Sequence, residues 1–200
     1  EDAGGGASDL DGLSDAKSGG TNFTNSLFLG HQTTGTLNGA TYNTAVGYTA
    51  LDAVTSANST TAIGAGAGSA ITSGGDNTIV GKDALDSNET GTRNTAIGNN
   101  ALGVNTVSDN TVIGFAALDA STDGTQNVAI GSQAMSTSTS DDGAVVIGYY
   151  AGQKMDGAAY TTIVGAGAAY KLTTGDHNTY IGNGCGPGGA DSAASYNTAI

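Results

Sequence analysis

The side chains best able to do chemistry in this chain are few and scattered. Its imidazoles are His31 and His177, and its one thiol is Cys185. Nucleophilic catalysis needs a hydroxyl or thiol beside a base that a third group orients. No Gly-x-Ser-x-Gly elbow is present to present a serine. A single cysteine closes no intrachain disulfide, and it falls in a column of small residues, which predicts a buried structural role. Gly75–Asp83, GDNTIVGKD, comes near a phosphate loop. It has one residue too many between its glycines, and Asp83 stands where a Ser or Thr must hold Mg2+. Gly184, Gly186 and Gly189 fit G-x-G-x-x-G, but no helical pattern follows them. The 18 acidic residues invite a calcium reading. Neither the helix–loop–helix ligand spacing nor the glycine-rich calcium nonapeptide occurs. Asp141-Asp142 is the one paired carboxylate in a loop between repeats and a weak candidate for a cation. Asp52, Asp86 and Asp119 recur five residues after a glycine and read as solvated turn residues. Tyr149 and Tyr150, with Tyr160 and Tyr170 nearby, are the candidate ligand surface, because aromatic faces can stack on sugars. The competing reading is interface or loop packing. The expectation is a chain with no catalytic residue, no metal and no cofactor, hence not an enzyme.

What must position these residues is a repeat. A glycine recurs at Gly30, Gly47, Gly64, Gly81, Gly98, Gly114, Gly131, Gly148, Gly165 and Gly182, in steps of 17 with a single step of 16. Internal periodicity of this kind decides the fold before any local reading. The residue before each glycine is aliphatic, as in Ile63, Ile97, Ile113, Ile130, Ile147 and Ile181. The residue before that is apolar in every repeat. Thr dominates one place earlier, and Asn opens the phrase at Asn43, Asn77, Asn94, Asn110, Asn127 and Asn178. Ala follows three residues after the glycine, often with Leu or Met behind it. The columns predict one coil per repeat: a short strand, a glycine turn, a returning Ala-Leu segment and a polar loop. Coils stacked at sheet spacing of about 4.8 Å give a rod section of roughly 50 Å. Stacked Asn residues are expected to form an amide ladder, and the Gly column a turn needing positive φ or close backbone approach. His31 and His177 then lie about nine coils apart and share no site.

Composition agrees. Gly is 34 of 200 residues and there is one Pro, so the composition is not collagenous. Charged residues are 12%, about half the share usual in globular domains, so the surface is built of hydroxyls, amides and backbone. The net charge of −13, with five scattered basic residues, argues against nucleic acid and against anionic membrane surfaces. No run of apolar residues is long enough to insert in a bilayer, and no signal peptide is evident. The predicted fold class is all-β, a repeat β-solenoid or β-roll with ~17-residue coils. Residues 1–20 read as a Gly/Asp-rich linker and residues 21–200 as the solenoid region of about ten coils. Because the chain stops mid-phrase at Asn197–Ile200, the repeats are expected to continue beyond it.

Neighbours on a strand face opposite ways, and here both neighbouring columns are apolar. One face fills the coil's own core and the other must meet something else. A coil offers about four apolar side chains at roughly 1.5–3 kcal/mol each when large and fully buried. Ordering backbone costs about 1–2 kcal/mol per residue, so lateral association of identical chains is expected.

The phrase N-T-A-[IV]-G-x-x-A-L, spaced through Ser/Thr/Asn/Gly loops over residues 21–200, resembles repeats of bacteriophage tail-fibre proteins. It is also similar to the head repeats of trimeric autotransporter adhesins. The entry Leu13-Ser14-Asp15 and Thr21–His31 looks like the lead-in to such repeats in marine phage structural proteins. The resemblance implies a parallel, in-register homotrimeric fibre in a virion tail fibre or at a cell surface. Its role would be to space or present a receptor-binding tip for host attachment, with host glycan or protein met through loops or through that tip. The 17-residue period is longer than the adhesin coil, which implies larger loops. The alternatives are an ice- or surface-binding solenoid, carried by the Thr column, and a non-phage extracellular filament. A polysaccharide-cleaving solenoid would need charged residues clustered on one face, which the sequence lacks.

Overall fold

The computed structural model describes residues 16–18, 23–30, 37–104, 107–187, 193 and 195–200. Each N-T-A-I-G phrase contributes one short strand, since β-branched residues at alternate places suit a pleated surface and the glycine ends it. The strands are β1 (Ala16–Ser18), β2 (Phe23–Thr24), β3 (Leu27–Leu29), β4 (Ala40–Thr41), β5 (Thr44–Val46), β6 (Thr61–Ile63) and β7 (Thr78–Val80). There follow β8 (Thr95–Ile97), β9 (Thr111–Ile113), β10 (Val128–Ile130), β11 (Val145–Ile147), β12 (Thr162–Val164), β13 (Thr179–Ile181) and β14 (Thr198–Ala199). Twelve of them form a single sheet, from β1 and β3 through β5 and onward in chain order to β14. Apart from β1, all its pairings are parallel, with Thr mostly over Thr (Leu27, Val128 and Val145 stand in that column) and the last residue of each full strand aliphatic over aliphatic. The fold is an all-β, parallel solenoid of about nine turns with coils of about 17 residues, as the period predicts.

Ala16–Ser18 lies inside the stretch read as a linker. Its backbone pairs antiparallel with Leu27–Leu29, so it covers the first edge of the sheet, where unpaired N–H and C=O groups would otherwise be open. The rest of residues 1–20 lies outside the described residues. The 16-residue step leaves the ladder undisturbed: Thr95 pairs with Thr111 and Ile97 with Ile113.

The returning segment is also bonded coil to coil. Leu51 N–H donates to Ala67 O at 3.0 Å, and Leu118 N–H to Ala134 O at 2.9 Å. Ala50, Ala67, Ala84, Ala101, Ala117, Ala134, Ala151 and Ala168 are buried, as are Leu51, Leu85, Leu102, Leu118 and Met135 behind them. That second column is left-handed: Leu51, Leu85, Leu102 and Leu118 have φ between 47° and 55°. Such a backbone costs a leucine roughly 1–2 kcal/mol, comparable to what burying its side chain returns.

The closing glycines serve both purposes expected of them. Gly47 has φ +140, and a Cβ there would stand 2.5 Å from Gly64 O and 2.6 Å from Gly64 C. Successive coils therefore touch backbone to backbone along this column.

The Asn column is buried and bonded, but differently from an amide ladder. Asn110 Oδ1 accepts the backbone N–H of Asn127 at 2.8 Å, and Asn127 Oδ1 that of Ala144 at 2.9 Å. The amide nitrogens donate instead to loop carbonyls: Asn43 Nδ2 to Ala57 O at 2.7 Å, Asn77 Nδ2 to Gly91 O at 3.0 Å. Each Asn thus ties its own loop and the next strand's entry together. Side chain meets side chain at Asn197, whose Nδ2 donates to Asn178 Oδ1 at 2.9 Å. The buried backbone groups of the corner, which need partners, outcompete the neighbouring amide.

Candidate functional site

Strand parity sorts the repeat phrase into an inside and an outside. The middle residue of each strand points into the coil: Phe28, Ala45, Ala62, Ile79, Ala96, Val112, Ala129, Val146 and Ile163 are fully buried, and Tyr180 nearly so. The flanking Thr and aliphatic residues share the other face. Ile63, Ile113 and Ile181 are 42%, 36% and 38% exposed, while Ile97, Ile130 and Ile147 are half-buried. The Thr column, Thr44, Thr61, Thr78, Thr95, Thr111, Thr162 and Thr179, runs beside them on the same surface. Of the two apolar columns, then, one makes the core and one makes a stripe along the outer face of the sheet.

The candidate chemistry does not converge. Thr78–Val80 of the near phosphate loop is a strand, and Lys82 and Asp83 in the turn after it pair with each other. Gly184 and Gly186 are left-handed turn residues, with φ +64 and +123, and Gly189 lies outside the described residues. His31 also lies outside them. Cys185 is partly buried against the core, in keeping with the small-residue column it belongs to.

Asp141 and Asp142 turn opposite ways. Asp141 is fully buried and accepts hydrogen bonds from Ser138 Oγ at 2.6 Å and from the backbone N–H of Ala158. Burial pushes its carboxyl above the usual range, against these hydrogen bonds. Asp142 reaches back one coil and accepts from the N–H and hydroxyl of Thr125, at 2.7 and 2.9 Å. The adjacent carboxylates are used up as separate inter-coil ties. Asp86 and Asp119, expected to be solvated, are half-buried, and burial raises both carboxyls. Among the described residues no group of three or more His, Cys, Asp or Glu is placed to hold a metal. Among the same residues no helix is long and apolar enough to cross a membrane.

Two aromatic groups stand on the surface. Tyr160, His177 and Tyr196 occupy the place before the Asn column and lie over one another, with centroids 5.3 and 5.0 Å apart and the last pair within 11° of parallel. All three residues are left-handed, at φ 54°, 61° and 60°. Tyr149 and Tyr150 follow the glycine turn and meet edge to face at 4.2 Å. Tyr150 meets Tyr170 of the next coil edge to face at 6.3 Å, and Lys154 Nζ lies 6.0 Å from the centre of the Tyr170 ring. A hydrogen bond with Tyr150 holds the Tyr149 hydroxyl above its usual pKa. The sequence singled out this pair but not the stack, although Tyr160, His177 and Tyr196 sit 17 and 19 residues apart in one column. No protein-family model matches the chain, and no curated protein and no solved structure matches it either.

Proposed function

We propose that this chain is a segment of a structural fibre, of the kind used in bacteriophage tail fibres and similar surface adhesins. It spaces or presents a receptor-binding tip for host attachment, from a virion or a cell surface. In this reading three copies lie parallel and in register, and their outer sheet faces meet around a common axis. The supporting observation is the aliphatic stripe. Each coil leaves one Ile or Val at the surface of the single chain, and ten such residues run about 45 Å along the rod. A continuous exposed apolar stripe of this length marks an interaction surface. Its constant spacing matches another copy of the same repeat better than an irregular partner. The work is mechanical, and no residue is assigned a chemical step.

Sedimentation equilibrium tests the reading. The expected mass is three times the 19.3 kDa of one chain. Replacing Ile113 and Ile130 by Glu should lower it to the mass of one chain while the strand signal in circular dichroism persists. A stable monomer from the unaltered chain would refute the shared interface.

One observation favours a second reading, binding to ice or another ordered surface. The middle residue of each strand, which separates Thr from the aliphatic residue in sequence, is turned inward, so the Thr column, broken at Leu27, Val128 and Val145, and the aliphatic column share the outer face. Absence of thermal hysteresis from the purified rod would remove it.

A further inference from the structure

We propose that Tyr149, Tyr150 and Tyr170 wall a small notch that takes one or two pyranose rings of a neutral glycan. The argument starts from the column after the glycine turn. Tyr149 and Tyr150 occupy it in one coil, Ala166-Gly167 in the next, and Asn183-Gly184 in the one after. A large pair is thus followed by a coil that carries almost nothing, and then by Asn183, whose Nδ2 turns back to Ala166 O at 3.1 Å and closes the far end. A Cβ built at Gly167 or at Gly184 would meet no atom within 4 Å, so the ground beside the tyrosines is open. The earlier coils differ. Tyr48 also precedes an Ala-Gly coil, Ala65-Gly66, but there the Asp83 carboxylate of the following coil closes over Gly66.

The rings are held in place. Tyr150 is wedged edge to face between Tyr149 and Tyr170, and Lys154 lies over Tyr170. Tyr149 is 56% exposed and Tyr170 is 41% exposed. A fixed aromatic ring that keeps a face in water, with a hydroxyl at its rim, suits the C–H face and hydroxyl edge of a sugar. In the Tyr160–His177–Tyr196 stack the middle ring is covered by its neighbours and Tyr160 lies against Gly143, so the three rings form a column and not a notch.

Size and charge select the occupant. The two coil spacings from Tyr149 to Asn183 measure about 10 Å along the rod, a patch on the order of 100 Å² if about as wide as it is long, far short of the roughly 800 Å² per partner of a protein interface. A net charge of −13 disfavours an acidic polymer. A neutral sugar fits both limits. The proposal does not depend on the trimer: the notch lies past the glycine turn, off the aliphatic stripe, and its test reads sugar rather than mass.

Saturation-transfer NMR with three neutral trisaccharides, maltotriose, cellotriose and triacetylchitotriose, tests it. Irradiation of the tyrosine ring protons should transfer to the ring C–H protons of at least one of them, with a Kd near 1 mM (about 4 kcal/mol). The double variant Y149A/Y150A should lose at least tenfold in affinity, and Y48A should keep the wild-type value. Y149F, which keeps the ring and removes the hydroxyl, should bind more weakly than wild type and more tightly than the double variant. Circular dichroism confirms that these surface variants fold. Transfer to none of the three sugars, or transfer that survives in Y149A/Y150A, overturns the proposal.

Discussion

Replacing Asn127 by alanine should open one joint of the rod and leave the others shut. Asn127 is 1% exposed. Its Oδ1 accepts the Ala144 N–H at 2.9 Å and its Nδ2 donates to Asp141 O at 2.6 Å. Alanine leaves both backbone groups buried without those partners. Each such loss costs about 1–3 kcal/mol, so the joint should weaken by roughly 2–6 kcal/mol. In a solenoid each coil touches only its neighbours, so the loss stays local. The assay is amide hydrogen exchange read residue by residue. At the lower bound of 2 kcal/mol the Ala144 amide should exchange roughly 30-fold faster, while Thr61 and Thr78, several coils away, keep their protection. Asn183→Ala is the control, because that exposed side chain makes one bond, Nδ2 to Ala166 O at 3.1 Å. It should cost under about 0.5 kcal/mol. Unchanged exchange at Ala144 in N127A would refute the assignment of Asn as an inter-coil tie. A uniform rise along the whole rod would refute the locality.

Two further perturbations separate backbone contact from backbone conformation, and burial from exposure. Gly98→Ala places a Cβ 2.6 Å from the carbonyl carbon of Gly114, and Gly167→Ala meets nothing. The first should cost about 2–6 kcal/mol, from overpacking added to strain, and the second about 1–2 kcal/mol, from its left-handed φ alone. Denaturant titration distinguishes them, and equal losses would contradict the close stacking of the glycine column. Asp86, Asp119 and Asp141 have carboxyls raised above 3.8, chiefly by burial. The folded chain therefore holds these protons more tightly than the unfolded chain. Stability should rise as pH falls from neutrality through the raised values toward 3.8. Asp109, lowered by its hydrogen bond from Arg93, acts in the opposite sense, with stability lost as pH falls through its depressed value. The melting temperature should be higher at about pH 4, just above the ordinary carboxyl value, than at pH 7, and D141N should flatten the profile. A lower melting temperature at the acid pH would contradict the burial of these groups.

The period, the strand positions and the inward Ala and Leu columns are legible in the sequence because each repeats as a residue type. The glycine column is legible for the same reason, since only glycine fits a φ near +140 with a neighbouring backbone against it. The left-handed leucines are another matter. Nothing in Leu51 or Leu118 announces positive φ, and the one trace lies at Gly68, Gly152 and Gly186, which replace them in three coils. Tertiary burial there overrides local preference. The destination of the Asn amides is hidden too, because it depends on which loop carbonyls the corner buries. Asp141 and Asp142 look alike as letters and part company in the loop before β11, where one side chain turns inward and the other back to Thr125. The outward stripe is legible as a second apolar column; its half-exposure is a property of the single chain in three dimensions.

The shortened coil between Gly98 and Gly114 has a consequence for how such a molecule changes size. One residue is missing, yet Thr95 still faces Thr111 and Ile97 still faces Ile113. Residues lost or gained within a coil therefore alter girth and leave length untouched. Length changes only by whole coils, each adding about 4.8 Å for some 17 residues. The rod behaves as a ruler with fixed graduations, tolerant of small insertions and deletions along its circumference and sensitive only to the number of marks.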